Sequence, residues 1–560
     1  MTLFKLILVS IKNHSRPLLL LILTLGSYFS IVFWRMLSLR PAGLYAGEVN
    51  VWSDWSLHIA IANIFAFKDV RYWFSYHPLY AGGKFTYPFF ADLISGMLMR
   101  IGTPLTQAMA LPSIISVLVL LIGLYFLFYL LTGSQRVASS AVFIFFLSAG
   151  LGFVYFLIDL FHNPSLPLFI YPLRDYGRYE IYQWYASSMV VGLLVPQRAF
   201  LIGVTLGVWA TVGVLYVILR EKLGHTLKTK ILVIAGVLAG ILPIAHPHSF
   251  MALIAITGFL CLVNFKKWKM LWPYVLVAGA ISSSLYLLFI QGGIERSSFV
   301  QWHPGFAVNG GLFDWLKMWT LIWGIMPPVA LYGLYLFRKK IKRSQLAVYL
   351  GGIGLFVAGN LFYFQPMPWD NSKIFWWVYL VLSAPTALAL DHLWSKKHLL
   401  FKITAASLFI ALTFMGLIEL TRLVQTDKHD YLMTSTDDIK LGLAVRDETG
   451  PSAIFLTAPA HNHFVMMWGL RPILLGYTAW TWNYGFDYYE RESDMKTMFL
   501  GGSGTEILLK KYRISYVTVG PAEIRDLNAN EKYFQEHFPL AFQDNNYRVY
   551  DTRGLWNSTK

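Results

Sequence analysis

The residues best placed to do chemistry lie in Glu48-Val-Asn-Val-Trp-Ser-Asp-Trp-Ser-Leu-His58, which follows the first long apolar run directly. If a helix starts at Ser53 or Asp54, the i, i+4 spacing puts His58 on the same face as Asp54, where an imidazole can orient or tune a carboxylate acting as a base. Asp is also a good N-cap, so a purely structural role for Asp54 is weighed equally on spacing alone. An acid where the chain leaves an apolar span tips the balance toward chemistry.

The other candidates are mostly cationic. Val195-Pro-Gln-Arg198 precedes an apolar run, and its arginine suits bidentate capture of a phosphate. In Phe364-Gln-Pro-Met-Pro-Trp-Asp-Asn-Ser-Lys-Ile-Phe375, Asp370 or Asn371 can cap the next helix. Lys373 then falls in the first turn, where a helix dipole prefers an anion, so an anion bound by both is one outcome. Snorkelling of Lys373 to lipid headgroups is the even alternative. His246 and His248 flank Pro247; they can bind a lipid phosphate or contribute to a metal site, and without a third ligand ordinary hydrogen bonding is favoured. Asp159, Arg174, Asp175, Arg178 and Glu180 can hold a cation, but mutual salt bridges are the commoner fate of such clusters. Trp468, Trp480, Trp482, Tyr484, Tyr488 and Tyr489 suit a sugar-stacking platform or, more often, a bilayer anchor.

The elements that position these residues are dictated by an apolar chain. Of 560 residues, 56% are hydrophobic and 14% charged, with a mean hydropathy of +0.52. That is the composition of an integral membrane protein. The net charge of +16 comes in short clusters between apolar runs, which marks cytoplasmic loops and gives no reason to expect a nucleic-acid partner. Cys261 is the only cysteine, so neither an intramolecular disulfide nor a cysteine-based metal site can form.

About eleven apolar runs are long enough to cross a bilayer. They begin near Pro17, Met109, Ala138, Ala199, Ile231, Ser249, Leu271, Leu316, Leu346, Ile374 and Phe401, with Ala245-His-Pro-His-Ser249 as a tight turn between two of them. The run from Pro17, behind Lys5, Lys12 and Arg16, is too long for a cleaved signal and is expected to be retained. With the amino terminus cytoplasmic, the basic clusters at Arg136, Arg220–Lys230, Lys266–Lys269, Arg338–Arg343 and Lys396–Lys402 all fall inside. The longer connections Leu39 to Gln107, Asp159 to Arg198, Gln291 to Trp315 and Phe364 to Lys373, and the tail, then lie outside. Two interfacial helices are expected in the first connection, Trp55 to Phe67 and Phe89 to Ile101. The expected division is therefore a transmembrane domain over residues 1–420 and an extracytoplasmic α/β domain over 421–560. The latter has strand-like runs at Ala453 to Thr457, Pro472 to Gly476, Ile514 to Val519 and Tyr547 to Tyr550, and a helical pattern from Thr505 to Tyr512.

This layout resembles the GT-C superfamily of polytopic glycosyltransferases that use lipid-linked sugars, protein O-mannosyltransferases among them. The resemblance rests on Ser53-Asp54-Trp55-Ser-Leu-His58, on Tyr87-Pro-Phe-Phe-Ala-Asp92, and on the many spans with an outer domain. Pro196-Gln-Arg198, Pro368-Trp-Asp-Asn-Ser-Lys373 and Gly469-Leu-Arg471-Pro-Ile-Leu-Leu-Gly-Tyr477 are similar to segments of a prokaryotic branch of it. The resemblance implies an α-helical polytopic, GT-C-like membrane protein of the cell envelope. It would move a sugar from a polyprenyl-phosphate donor to a hydroxyl of a glycan, lipid or protein, with inversion. Asp54 would be the base assisted by His58; Arg198, Lys373, His246 and His248 would take the phosphate; Asp370, Asp92, Asp175 and Arg471 are further site candidates. The superfamily's first-loop acid serves as base or metal ligand, so a divalent cation, Mg or Mn, is the cofactor to look for, although the first loop lacks an Asp-x-Asp or Glu-x-Asp pair. The rivals are a transporter or flippase of a lipid-linked or small solute, and a membrane-anchored scaffold. Charges gathered at the ends of spans, away from the midplane, favour the enzyme.

Overall fold

The computed structural model describes residues 9–185, 188–293, 300–308, 310–425 and 430–557. Lys5, and residues 294–299 and 309 of the Gln291 to Trp315 connection, lie outside them. The chain forms two compact units. The first comprises Met1–Phe33, Ser113–Leu287 and Val300–Gln425; the second comprises Trp34–Pro112, Leu288–Phe299 and Thr426–Lys560. The long first connection thus groups with the tail rather than with the spans.

In the first unit the apolar runs are helical as expected, but not all are straight spans. Among the described residues eight helices are long and apolar enough to cross a membrane, or up to ten if each of two bent pairs is one span. These pairs, Gln135–Leu147 with Gly152–His162 and Leu312–Trp323 with Met326–Phe337, bend by 63° and 83°. The remaining expected run is the shorter helix Pro247–Val263, of 17 residues. The eleven expected runs are therefore all helical, as eight long helices, two bent pairs and this shorter one; the bends are what hydropathy cannot see. The two bends meet, Leu151 N–H donating to the Leu321 carbonyl at 3.0 Å. Gly150 (φ +61°) and Gly324 (φ +58°) make the turns there, and a Cβ on Gly150 would come within 2.3 Å of that carbonyl.

The second unit is built around the helix Val49–Phe67. Glu48 caps it, its carboxylate accepting from Asn50 N–H at 2.8 Å and Val51 N–H at 3.3 Å. The helix therefore begins four residues before Ser53, and Asp54 is not its cap. Trp55 to Ala66 are all buried, so this is a core helix and not the interfacial one expected. Its alternation of Ile, Ala and Phe leaves no polar face to lie against headgroups. It packs on the helix Phe90–Arg100, which closes with Gly102 at φ +98°, and on the turn Val465–Gly469.

Leu37–Arg40 and Gly43–Ala46 form an antiparallel hairpin to which the tail strand Tyr431–Ser435 adds. The tail's own sheet runs Ile454–Leu456, Ile514–Val519, Arg548–Asp551, Leu540–Gln543, with the first pair parallel and the others antiparallel. Three of the four expected strands are there. Pro472 to Gly476 makes only an isolated bridge, Phe455 to Ile473, because its leading proline has no N–H to donate.

Candidate functional site

In the first unit the start of the helix Pro247–Val263 packs against two other helices that carry expected site residues. Arg198 opens the helix Arg198–Leu219 and is fully buried. One turn on, Gly203 lies so close to His246 that an added Cβ would sit 2.4 Å from the histidine Cβ, and Phe200 meets the His246 ring edge-on at 5.3 Å. His246 is the cap between His225–Ala245 and Pro247–Val263: its Nδ1 accepts Ser249 N–H at 3.1 Å, which leaves the ring proton on Nε2. The turn Ala245 to Ser249 is thus as expected. Trp377, on the helix Pro368–Trp394, donates its indole N–H to Ser249 Oγ at 3.1 Å. The same helix carries Asp370 and Lys373 in its first two turns, and Lys373 is close enough for its charge to act on both His246 and His248.

Of the four expected phosphate ligands, His246, His248 and Lys373 are thus near one another, and the buried Arg198 opens the helix whose Phe200 and Gly203 meet His246. His246 and His248, each 4% exposed and with ring centroids 5.6 Å apart, both have a buried Nε2 without a hydrogen-bond partner. A buried N–H with no acceptor is costly, and an anionic oxygen would satisfy it. The positive end of the helix Pro247–Val263 lies at these two rings.

Two details differ from expectation. Lys373 is not a lone cation: its Nζ pairs with Asp370 at 2.5 Å, three residues earlier on the helix, and both side chains are nearly buried. Neither Asp370 nor Asn371 caps the helix, whose cap residue is Met367. Asn371 instead pins the preceding loop, accepting from Phe364 N–H at 2.5 Å and donating to the Met367 carbonyl at 2.9 Å. Asp175 is a structural ion-pair residue, bound to Arg422 and 3.9 Å from Arg178. Arg174 pairs with Asp159 at 3.1 Å and Arg178 with Glu180 at 2.8 Å, so the cluster neutralises itself.

In the second unit His58 belongs to Asp92. Its Nδ1 lies 2.8 Å from Asp92 Oδ2, both side chains being 5% exposed or less. Its Nε2 lies 3.3 Å from the Tyr87 hydroxyl. A carboxylate accepts, so Nδ1 is the ring nitrogen that donates to Asp92. Asp92 sits in the first turn of Phe90–Arg100, where the dipole favours its charge. Both ring nitrogens of His58 are thus engaged by the second loop helix and the residues before it, while Asp54 lies four residues earlier on the same helix. Asp54, half-buried in the second turn of Val49–Phe67, lies one turn before this group.

Arg471 is a core residue. Its guanidinium makes five hydrogen bonds, to Thr449 Oγ1 and to the carbonyls of Gly469, Leu470, Arg446 and Thr449, and such a saturated fork has no donor left for a ligand. The tail aromatics do not make one platform. Trp480 packs with Tyr477 and His461, Tyr484 with Tyr87 and His77, and Tyr488 stacks on Tyr489. Tyr87 was missed as a site residue; its signal was the tyrosine five positions before Asp92 at a helix start.

Among the described residues no group of three or more His, Cys, Asp and Glu could hold a metal ion. With Asp92 spent on His58, the donor set does not fit a divalent cation, and no step is routed through one.

This architecture, a polytopic helical unit and a second unit built on the first long connection and a mixed-sheet tail, shares its fold with several solved membrane proteins. The chain is similar to the oligosaccharyltransferase of Archaeoglobus fulgidus in its apo form, with a TM-score of 0.53 and 13% identity over 90% of this chain and 70% of that one. A structure of that enzyme in complex with Zn and sulfate matches with the same score. ArnT from Cupriavidus metallidurans bound to undecaprenyl phosphate matches with a TM-score of 0.50 and 12% identity over 95% of this chain and 97% of that one. The arabinofuranosyltransferase AftD from Mycobacteria matches at 0.50 and 12%, over 94% of this chain and 41% of that one. No protein-family model matches the chain, and no curated protein does.

Proposed function

We propose that this protein is a multi-pass membrane glycosyltransferase that moves a sugar from a polyprenyl-phosphate donor to an acceptor hydroxyl on the extracytoplasmic face. The observation that carries it is the pair of buried Nε2 atoms of His246 and His248, without hydrogen-bond partners, at the N-terminus of the helix Pro247–Val263 and within reach of the charge of Lys373. A phosphate ester supplies the missing oxygens and the charge. The shared fold, and the undecaprenyl phosphate bound by ArnT, support a lipid carrier for that phosphate.

The acceptor oxygen attacks the anomeric carbon as its proton passes to Asp54. The bond from that carbon to the phosphate oxygen breaks, and the single displacement inverts the anomeric centre. The leaving phosphate gathers charge, which Arg198, Lys373 and the two histidine N–H groups stabilise. Asp370 holds Lys373 in place and tempers its charge. Asp92, His58 and Tyr87 fix the helix bearing Asp54; they are positioning residues. The basic loops lie in the cytoplasm together with the amino terminus, and the tail domain after residue 420 lies outside.

The test is to incubate the purified protein with a panel of polyprenyl-phosphate sugars and acceptors and follow the donor. Acceptor-dependent consumption is expected. Counterflow of intact donor into proteoliposomes, without consumption, would replace the enzyme by a transporter or flippase.

A further inference from the structure

The second unit holds a cavity of about 250 Å3 that the transfer chemistry does not use. It lies between the end of the helix Val49–Phe67, the turn Gly102-Thr103-Pro104 and the tail helix Thr436–Glu448. Its walls are mostly apolar, from Phe67, Met99, Pro104, Leu105, Leu443 and Leu470. The polar residues of the lining are Asn63, Thr103, Arg446 and Trp468, and two of their buried atoms lack a hydrogen-bond partner. Asn63, 1% exposed, donates its Nδ2 to the Met467 carbonyl at 2.8 Å, but its Oδ1 receives no hydrogen bond. Trp468, the next residue along, also lines the cavity, and its buried indole N–H has no acceptor.

A buried acceptor and a buried donor beside the same apolar hollow are two unpaid desolvation costs of about 1–3 kcal/mol each. One hydroxyl answers both, donating to the amide oxygen and accepting from the indole. Water could also answer them, but a space of this size would need several waters, and apolar walls give those few partners. The surroundings say where the hydroxyl comes from. Leu105 opens the 28-residue apolar helix Leu105–Thr132, so the cavity sits where the chain enters the bilayer. Phe67 in its wall is 53% exposed, and Ile101 beside it is 77% exposed, as lipid-facing residues are.

We propose that this cavity binds the hydroxyl-bearing end of an apolar chain drawn from the membrane, a long-chain alcohol or a lipid with a free hydroxyl. It is a site separate from the one that holds the donor phosphate, and it stands whether or not the transfer chemistry does. The chain fills the space between Met99, Leu105 and Leu443, and the hydroxyl bridges Asn63 and Trp468.

The test uses the full-length protein in phosphatidylcholine nanodiscs, a ten-carbon alcohol carrying a photoreactive diazirine, and the matching diazirine alkane. Cross-linked peptides are located by mass spectrometry. The alcohol is expected to label the segments around Met99, Leu443 and Trp468 about tenfold more than the alkane does, an excess of plain decanol to abolish that labelling, and Leu443→Trp or the milder Leu443→Phe to reduce it at unchanged melting temperature. Equal labelling by alcohol and alkane, or labelling that decanol does not compete, would overturn the proposal. Decanol competition decides even if both filled-cavity variants misfold.

Discussion

Lys68 offers a sharp test of the physical chemistry of the second unit. It ends the helix Val49–Phe67 and is 7% exposed. Its Nζ lies 3.1 Å from the Pro451 and Leu470 carbonyls and 3.3 Å from the Tyr76 hydroxyl, and 4.5 Å above the Tyr76 ring. Burial, helped by the nearby charge of Arg471, brings its pKa down to about 7 from the ordinary 10.5. Between these two values the unfolded chain holds a proton that the folded chain has shed. Stability must then rise with pH across that window, and the full penalty for burying the ammonium is felt below the folded value. From about pH 7 to about pH 9 the gain is two units, or about 2.7 kcal/mol as an order of magnitude. Lys68→Met keeps the apolar stem and removes the titration. Denaturant midpoints of the purified protein in detergent, measured for both forms from pH 6.5 to 9, should show the wild type gaining on the variant as pH rises. Parallel pH curves would refute the argument, and a gap that closes with pH would reverse its sign.

Asp92→Asn leaves His58 without its carboxylate, and breaking so buried a pair is expected to cost about 3 kcal/mol of stability and to lower transfer, seen in melting and turnover together. Arg471→Met removes five hydrogen bonds from the core and should reduce folded yield while whatever folds keeps its activity; active-site titration separates the two. His248→Ala is expected to raise KM for the lipid donor about tenfold, the loss of one charge-assisted contact, with a near-normal melting temperature.

Much of the membrane unit was legible because hydropathy is a long, redundant signal. The turn at His246-Pro247-His248 and the helix start at Arg198 could be read from proline and charge, and the structure puts His246, His248 and Lys373 near one another. The bends at Gly150 and Gly324 could not be read, since each exists only because the other is there to receive it. Glu48 escaped notice as the cap of the first-loop helix because Asp54 was the better capping residue by type, and one missed cap moved Asp54 a full turn into the helix. The partner of His58 was hidden for a different reason: spacing along one helix suggests neighbours only on that helix, whereas Asp92 arrives from 34 positions away. Arg471 shows the converse, a cation in a conspicuous motif whose donors are spent on four backbone carbonyls and the Thr449 hydroxyl.

The central claim is that Asp54 takes the acceptor's proton. The most direct measurement is the rate of acceptor-dependent donor consumption by purified Asp54→Asn beside wild type, with equal folded amounts confirmed by melting. Loss of at least about a hundredfold in turnover with donor binding retained is the expected result, in line with removal of a general base. Wild-type turnover by Asp54→Asn would contradict it.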